Sequence, residues 1–151
     1  MSNDFADELQ EKILKEIRER YSPIVIEHWQ NPRNWGIMNN PDGYAKITGP
    51  CGDTMEISIK LKDNKIEKCT FDTDGCGASV ACASIITEMA TRKTVAEARQ
   101  MSQVDVMEFC GGLPEEDRHC ALLAVDTLQQ AVGDCQEKGN QPWKRPYRVI
   151  R

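Results

Sequence analysis

The chain has 151 residues, of which 40% are hydrophobic and 28% charged, and a formal charge of −5; length and composition suit one globular domain with a real core. The acidic balance argues against a nucleic-acid surface, which needs a basic patch or stripe. No run of about 18 apolar residues offers a membrane span, and the acidic, polar start from Met1 to Glu11 resembles neither a signal peptide nor an Arg-rich transit segment, so a cytoplasmic location is expected.

Residues 4–20 predict an amphipathic helix, because Phe5, Leu9, Ile13 and Ile17 recur every fourth residue as one apolar stripe. Glu8–Lys12, Glu11–Lys15 and Glu16–Arg20 support it in the favourable order. The stripe suits packing on the domain or on a partner subunit. Pro23 opens a second short helix through Trp29, and Asn31–Pro32 ends it. Residues 30–43 form a loop rich in Asn, Pro and Gly, with Trp29 and Trp35 expected in core or semi-buried packing.

Tyr44 to Thr48 reads as a short strand, followed by a turn at Gly49-Pro-Cys-Gly-Asp53. Thr54 to Lys62 alternates cleanly: Met55, Ile57, Ile59 and Leu61 on one face, Glu56, Ser58, Lys60 and Lys62 on the other. That period implies a buried face and a wet face in an antiparallel sheet. Asp63–Asn64 predicts a tight hairpin turn into a strand from Lys65 to Asp72, with Cys69 and Phe71 sharing a face.

From Gly77 the pattern becomes helical, through Ala78, Ala81, Cys82, Ile85, Ile86 and Met89, to about Thr91. Thr94 with Glu97, and Ser102 with Asp105, are capping boxes for two short helices, the second ending near Cys110. Pro114, Glu115 and Glu116 predict the opening of a last helix running to about Gly133. A Pro-rich tail, about 136–151, contains Lys144, Arg145, Arg148 and Arg151, readable as a small docking surface or a solvated end. Helix, strands, then helices without strand–helix alternation predict a single α+β domain over 1–151: a three-stranded antiparallel sheet with helices against its apolar face.

Seven cysteines, at 51, 69, 76, 82, 110, 120 and 135, cannot all pair within one chain. In a chain with no secretory signal, thiols at this density point to metal or sulfur chemistry more than to disulfides. Three stand out. Cys51 lies in the turn before Gly52 and Asp53. Cys76, in Asp74-Gly-Cys-Gly77, immediately precedes a helix, where orphan amides favour a thiolate. Cys120 lies early in the last helix, beside His119. These expectations place Cys51, Cys76 and Cys120 at one exposed site, with Asp53 and His119 at its border. A thiolate-rich set suits zinc or an iron–sulfur cluster. No C-x₂-C pair makes it a zinc ribbon, and the residues alone leave structural cysteines and a catalytic thiol open. Cys69 and Cys82 read as small buried hydrophobes. Cys110 is a structural thiol or a relay, and Cys135 is structural or exposed.

Four local sequences decide further: Val25-Ile-Glu-His-Trp-Gln-Asn-Pro-Arg-Asn34, Cys51-Gly-Asp53, Gly75-Cys-Gly-Ala78 and His119-Cys120, with intervals of 25 and 44 residues between the key cysteines. Over roughly residues 22–133 the chain resembles the U-type iron–sulfur cluster assembly scaffolds, the family related to the N-terminal domain of the nitrogen-fixation scaffold. The resemblance implies a compact α+β domain that acts as a scaffold and not as an enzyme. It would receive sulfur from a cysteine desulfurase, accept iron and electrons, build a [2Fe–2S] or [4Fe–4S] cluster and pass it to recipient apo-proteins. It implies that Cys51, Cys76 and Cys120 hold the cluster, with Asp53 or His119 as fourth ligand, and that Cys120 accepts the persulfide. A homodimer is compatible with it. The other reading is a persulfide acceptor, or a zinc-bound desulfurase activator, zinc substituting in the apo form. Leu113-Pro-Glu-Glu-Asp117 departs from the Leu-Pro-Pro-Val-Lys stretch read by a dedicated Hsp70-type chaperone in many members, so the resemblance leaves that partner open. His119, and the lack of a long insertion before it, set the chain apart from the sulfur-mobilisation branch.

Overall fold

The computed structural model describes residues 2–50 and 52–140. The predicted Pro-rich tail beyond 140, with Lys144, Arg145, Arg148 and Arg151, lies outside the described residues, as does Cys51.

Two helices come first, α1 (Ser2–Arg20) and α2 (Pro23–Gln30). Ser22 caps α2, its hydroxyl accepting from the Val25 amide at 3.2 Å, and Pro23 occupies the first turn where no amide partner is needed. Three strands follow, β1 (Gly43–Thr48), β2 (Thr54–Lys62) and β3 (Lys65–Thr73), in the antiparallel order β1-β2-β3. Asp63 and Asn64 both take positive φ, 54° and 64°, which is the geometry of a two-residue hairpin turn. Outside the strands, Phe71 exchanges backbone hydrogen bonds with residues 34–36, and Ile66 with residues 92–93. These contacts cover parts of the open β3 edge.

The last elements are α3 (Gly77–Ala90), α4 (Val95–Arg99), α5 (Gln103–Cys110), one 3₁₀ turn (Glu115–Asp117) and α6 (Arg118–Asn140). Both predicted capping boxes, Thr94 with Glu97 and Ser102 with Asp105, are formed. Gly111, at φ 77°, ends α5 in the left-handed conformation that glycine adopts without strain. The α+β architecture predicted from the sequence is the one found. Helices α3 and α6 cover one sheet face, α6 along β1 and β2 and α3 along β3, and α2 packs on α3. Between these layers lie Met55, Ile57, Ile59, Cys69, Phe71, Ile85, Ile86, Leu128 and Val132, all essentially inaccessible.

The structure corrects three expectations. Helix α6 does not stop near Gly133 but continues to Asn140, because Cys135 and Lys138 are buried on the same flank and Lys138 Nζ reaches Asp134 Oδ2 at 3.1 Å. The acidic opening after Pro114 is a 3₁₀ turn, and the α-helix proper begins at Arg118. Ser58, assigned to the wet face of β2, is buried. Its cross-strand partners are Tyr44 and Thr70, and a short side chain on the central strand sits below longer neighbours. Cys69 and Cys82 are buried as expected, and Cys110 and Cys135 are buried as well. Trp35 and Trp29 are half exposed, Trp35 against the Phe71 ring with centroids 5.0 Å apart.

Candidate thiol site

The site forms where the β1–β2 turn, the β3–α3 connection and the start of α6 meet. The first two are tied together by backbone. Asp74 Oδ1 accepts from the Thr54 amide at 2.7 Å, Thr73 Oγ1 donates to the Thr54 carbonyl at 2.7 Å, and the Gly75 amide donates to Thr73 Oγ1 at 3.1 Å. The turn is closed by the Gly49 amide on the Asp53 carbonyl at 2.8 Å, with Gly52 at φ 88°. These bonds bring Asp53 beside Gly75 and Cys76. Gly75 is required by space: a Cβ there would stand 2.7 Å from Ser79 Cβ and 3.0 Å from Asp53 Oδ2.

Cys76 is the residue that caps α3, in extended conformation, and its side chain is exposed. Cys120 lies in the first turn of α6 and is buried. The expectation of a uniformly exposed site is therefore corrected: one thiol faces solvent and one lies beneath it, since the start of α6 is laid into the core. Burial is the main reason the Cys120 thiol is pushed up to about 12. The Ser79 hydroxyl opposes that shift, and the neighbouring Cys76 and Asp117 reinforce it.

The sequence reading missed Ser79, which links these groups. Its Oγ lies 3.1 Å from Asp53 Oδ2, 3.4 Å from Cys120 Sγ and 3.8 Å from Cys76 Sγ. Ser79 is three residues beyond Cys76, on the same face of α3; that spacing was the available signal. A hydroxyl has one hydrogen to donate, so Ser79 serves the carboxylate or a thiol in turn. His119 stands at the rim, its Nε2 3.6 Å from Cys120 Sγ. Among the described residues, no three Cys, His, Asp or Glu side chains are already arranged to hold a metal ion.

A second set of residues ties the start of α6 to the N-terminal helices. The Tyr21 hydroxyl donates to Asp117 Oδ2, and the Arg20 guanidinium to Glu116 Oε1. Ser22 Oγ donates to the Cys110 carbonyl. Burial, and then the bond to Asp117, push the Tyr21 phenol up to about 12. Tyr21 also meets the Trp29 ring edge-on, with centroids 6.1 Å apart, and Trp29 occupies the space that a Cβ at Gly77 would need.

Fold and site together define a small α+β protein with two thiols and a carboxylate gathered around one buried serine and an imidazole at the rim. The chain belongs to the family described as NifU-like N terminal domain, which it matches over residues 20–142. It is 45% identical over 122 residues to the iron-sulfur cluster assembly scaffold protein IscU 1 of Archaeoglobus fulgidus, covering 80% of each chain. It is 38% identical over 123 residues to the Escherichia coli K12 scaffold protein IscU, covering 78% of this chain and 95% of that one. The N-terminal part of a nitrogen-fixing NifU-like protein from Brucella abortus shares the fold, with a TM-score of 0.65 at 20% identity over 81% of this chain and 98% of that one.

Proposed function

We propose that this chain is a scaffold on which an iron–sulfur cluster is assembled from desulfurase-derived sulfur and iron, then passed to apo-proteins. The observation that carries the reading is the convergence of Asp53, Cys76 and Cys120 on Ser79 within 3.1–3.8 Å, in a chain of the NifU-like family. The cluster is cargo. Cys76 and Cys120, with Cys51, which directly precedes Gly52 in the sequence, are its proposed thiolate ligands, and Asp53 or His119 supplies the fourth contact. Oxygen and nitrogen donors match cluster iron less well than thiolate does. A centre held by three thiolates and one weaker donor is one that can leave, as a carrier requires.

In the same reading, Cys120 accepts sulfur. Its thiolate attacks the terminal sulfur of a desulfurase persulfide, forming a new S–S bond at Cys120 and releasing the desulfurase thiolate. Because Cys120 is buried with its thiol protonated, this step follows an opening at the start of α6 and loss of the thiol proton. The first product is a [2Fe–2S] cluster, with [4Fe–4S] as a later stage, and zinc occupies the apo site as a substitute. No helix among the described residues is long and apolar enough to cross a membrane, and we place assembly in the cytoplasm.

The test is anaerobic reconstitution with a cysteine desulfurase, cysteine, ferrous iron and a dithiol reductant, which supplies the electrons that take persulfide sulfur to sulfide. Brown protein with about 2 Fe and 2 S per site is expected. Cys51→Ser, Cys76→Ser and Cys120→Ser should each abolish stable assembly. Unchanged assembly without Cys76 overturns the site, and colourless protein with stoichiometric zinc favours a desulfurase activator.

A further inference from the structure

Helix α1 carries an apolar ridge that the described residues of its own domain leave uncovered. Phe5 is 74% exposed, Leu9 49% and Ile13 48%. Leu14 and Ile17, nearer the C-terminal end, are half-buried and share a groove with Ile26 and Trp29 of α2. Three adjacent large apolar residues on three successive turns differ from scattered surface hydrophobes and mark a contact surface.

Charge on the helix selects the occupant. Residues 2–10 carry Asp4, Asp7 and Glu8 with no Lys or Arg, a net −3, while residues 11–20 hold Lys12, Lys15, Arg18 and Arg20 against Glu11, Glu16 and Glu19, a net +1. A second α1 laid antiparallel sets the acidic half of each helix over the basic half of the other and opposes the two helix dipoles. A parallel arrangement sets like over like. The ridge of Phe5, Leu9, Ile13 and Ile17 seats between the i±3 rows of a second copy at the shallow crossing angle that keeps two helices side by side along their length. A two-fold axis makes such an interface self-complementary.

We propose that the exposed ridge of α1 pairs antiparallel with the same ridge of a second copy of this chain, Leu9 of each copy packing near Ile13 of the other and Glu8 facing Lys12 and Lys15. Each copy stays tied to its own thiol site through Arg20–Glu116 and Tyr21–Asp117. One helix pair buries less than the about 1,200 Å² typical of tight complexes, so the association is concentration-dependent. It concerns the mass of the apo-protein and stands independently of the cluster.

Sedimentation equilibrium of the full chain under reducing, zinc-free conditions tests it. A reversible monomer–dimer equilibrium is expected, weakening as salt is raised. Leu9→Asp with Ile13→Asp should raise the dissociation constant at least tenfold while leaving the sheet's amide-exchange protection, measured at a concentration where the parent is monomeric, unchanged. Because that variant also lowers helix propensity, charge reversal provides a second measure. Asp7→Lys/Glu8→Lys and Lys12→Glu/Lys15→Glu should each weaken self-association, and mixing the two variants should restore it. Monomer at every concentration, dimers as strong in the Asp variant as in the parent, or no recovery on mixing would overturn the pairing. So would engagement of α1 solely by added desulfurase.

Discussion

Ser79 shows how much one short side chain decides. It adds no charge, yet it separates the Asp53 carboxylate from two thiols and offers each a hydrogen-bond partner. Ser79→Ala is nearly isosteric and leaves Cys120 buried without that partner. The expected result is a folded protein with little change in thermal midpoint, together with slower cluster formation and a changed pH profile for Cys120 alkylation followed by mass spectrometry. A purely structural Ser79 would move neither rate. The buried thiols lead to a separate expectation. Burial pushes Cys69 and Cys82 upward from the ordinary thiol value. The folded state therefore holds protons that the unfolded chain releases above about pH 8.5. Stability from this source is complete below that pH and is lost as pH rises toward the folded values. The thermal midpoint of the apo-protein should fall between pH 8 and pH 10, and Cys82→Ala should flatten the slope. An unchanged slope in that variant would remove Cys82 as a cause. Both residues were legible in the sequence, Cys69 from strand alternation and Cys82 from helical periodicity. Ser79 was not, because its role depends on groups 26 and 41 residues distant.

Among the elements, α6 carries the largest correction. Its apolar positions continue past Gly133, but Lys138 disguises them, since an isolated sequence does not reveal that Asp134 neutralises a buried lysine. The contact that holds this helix on the sheet is equally specific. A Cβ at Gly43 would stand 2.2 Å from Cys135 Sγ and 2.4 Å from the Ala131 carbonyl. Gly43→Ala forces β1 and α6 apart, and an overpacking cost of about 1–3 kcal/mol is expected in chemical denaturation. Cys135→Ala made alongside should not rescue it fully, because the Ala131 carbonyl remains in place. The hairpin and the two capping boxes were readable directly, as each is written within a few neighbouring residues: Asp63–Asn64, Thr94 with Glu97, and Ser102 with Asp105.

Across the whole molecule, the thiol site is built where distant parts of the chain are held together. Tyr21 and Arg20 close on Asp117 and Glu116 across 96 residues, directly before His119 and Cys120. Tyr21→Phe removes one of these ties and keeps the ring against Trp29. Faster amide exchange over residues 113–120 and faster Cys120 alkylation are expected, with the sheet unaffected; unchanged exchange in that segment would show that Tyr21 does not restrain it. Leu113-Pro-Glu-Glu-Asp117 thus acquires a structural role: Glu116 and Asp117 anchor the N-terminal helices. The sequence by itself determined the α+β class, the three strands and the family, and it nominated Cys51, Asp53, Cys76, His119 and Cys120 as candidates. Each of those rests on local pattern or on residues adjacent along the chain. Tertiary structure decided that Cys76 is exposed while Cys120 is buried, that Ser79 joins them, and that the apolar stripe of α1 faces outward. Burial and long-range hydrogen bonds depend on which surfaces the fold brings together, and no local period in a sequence encodes that.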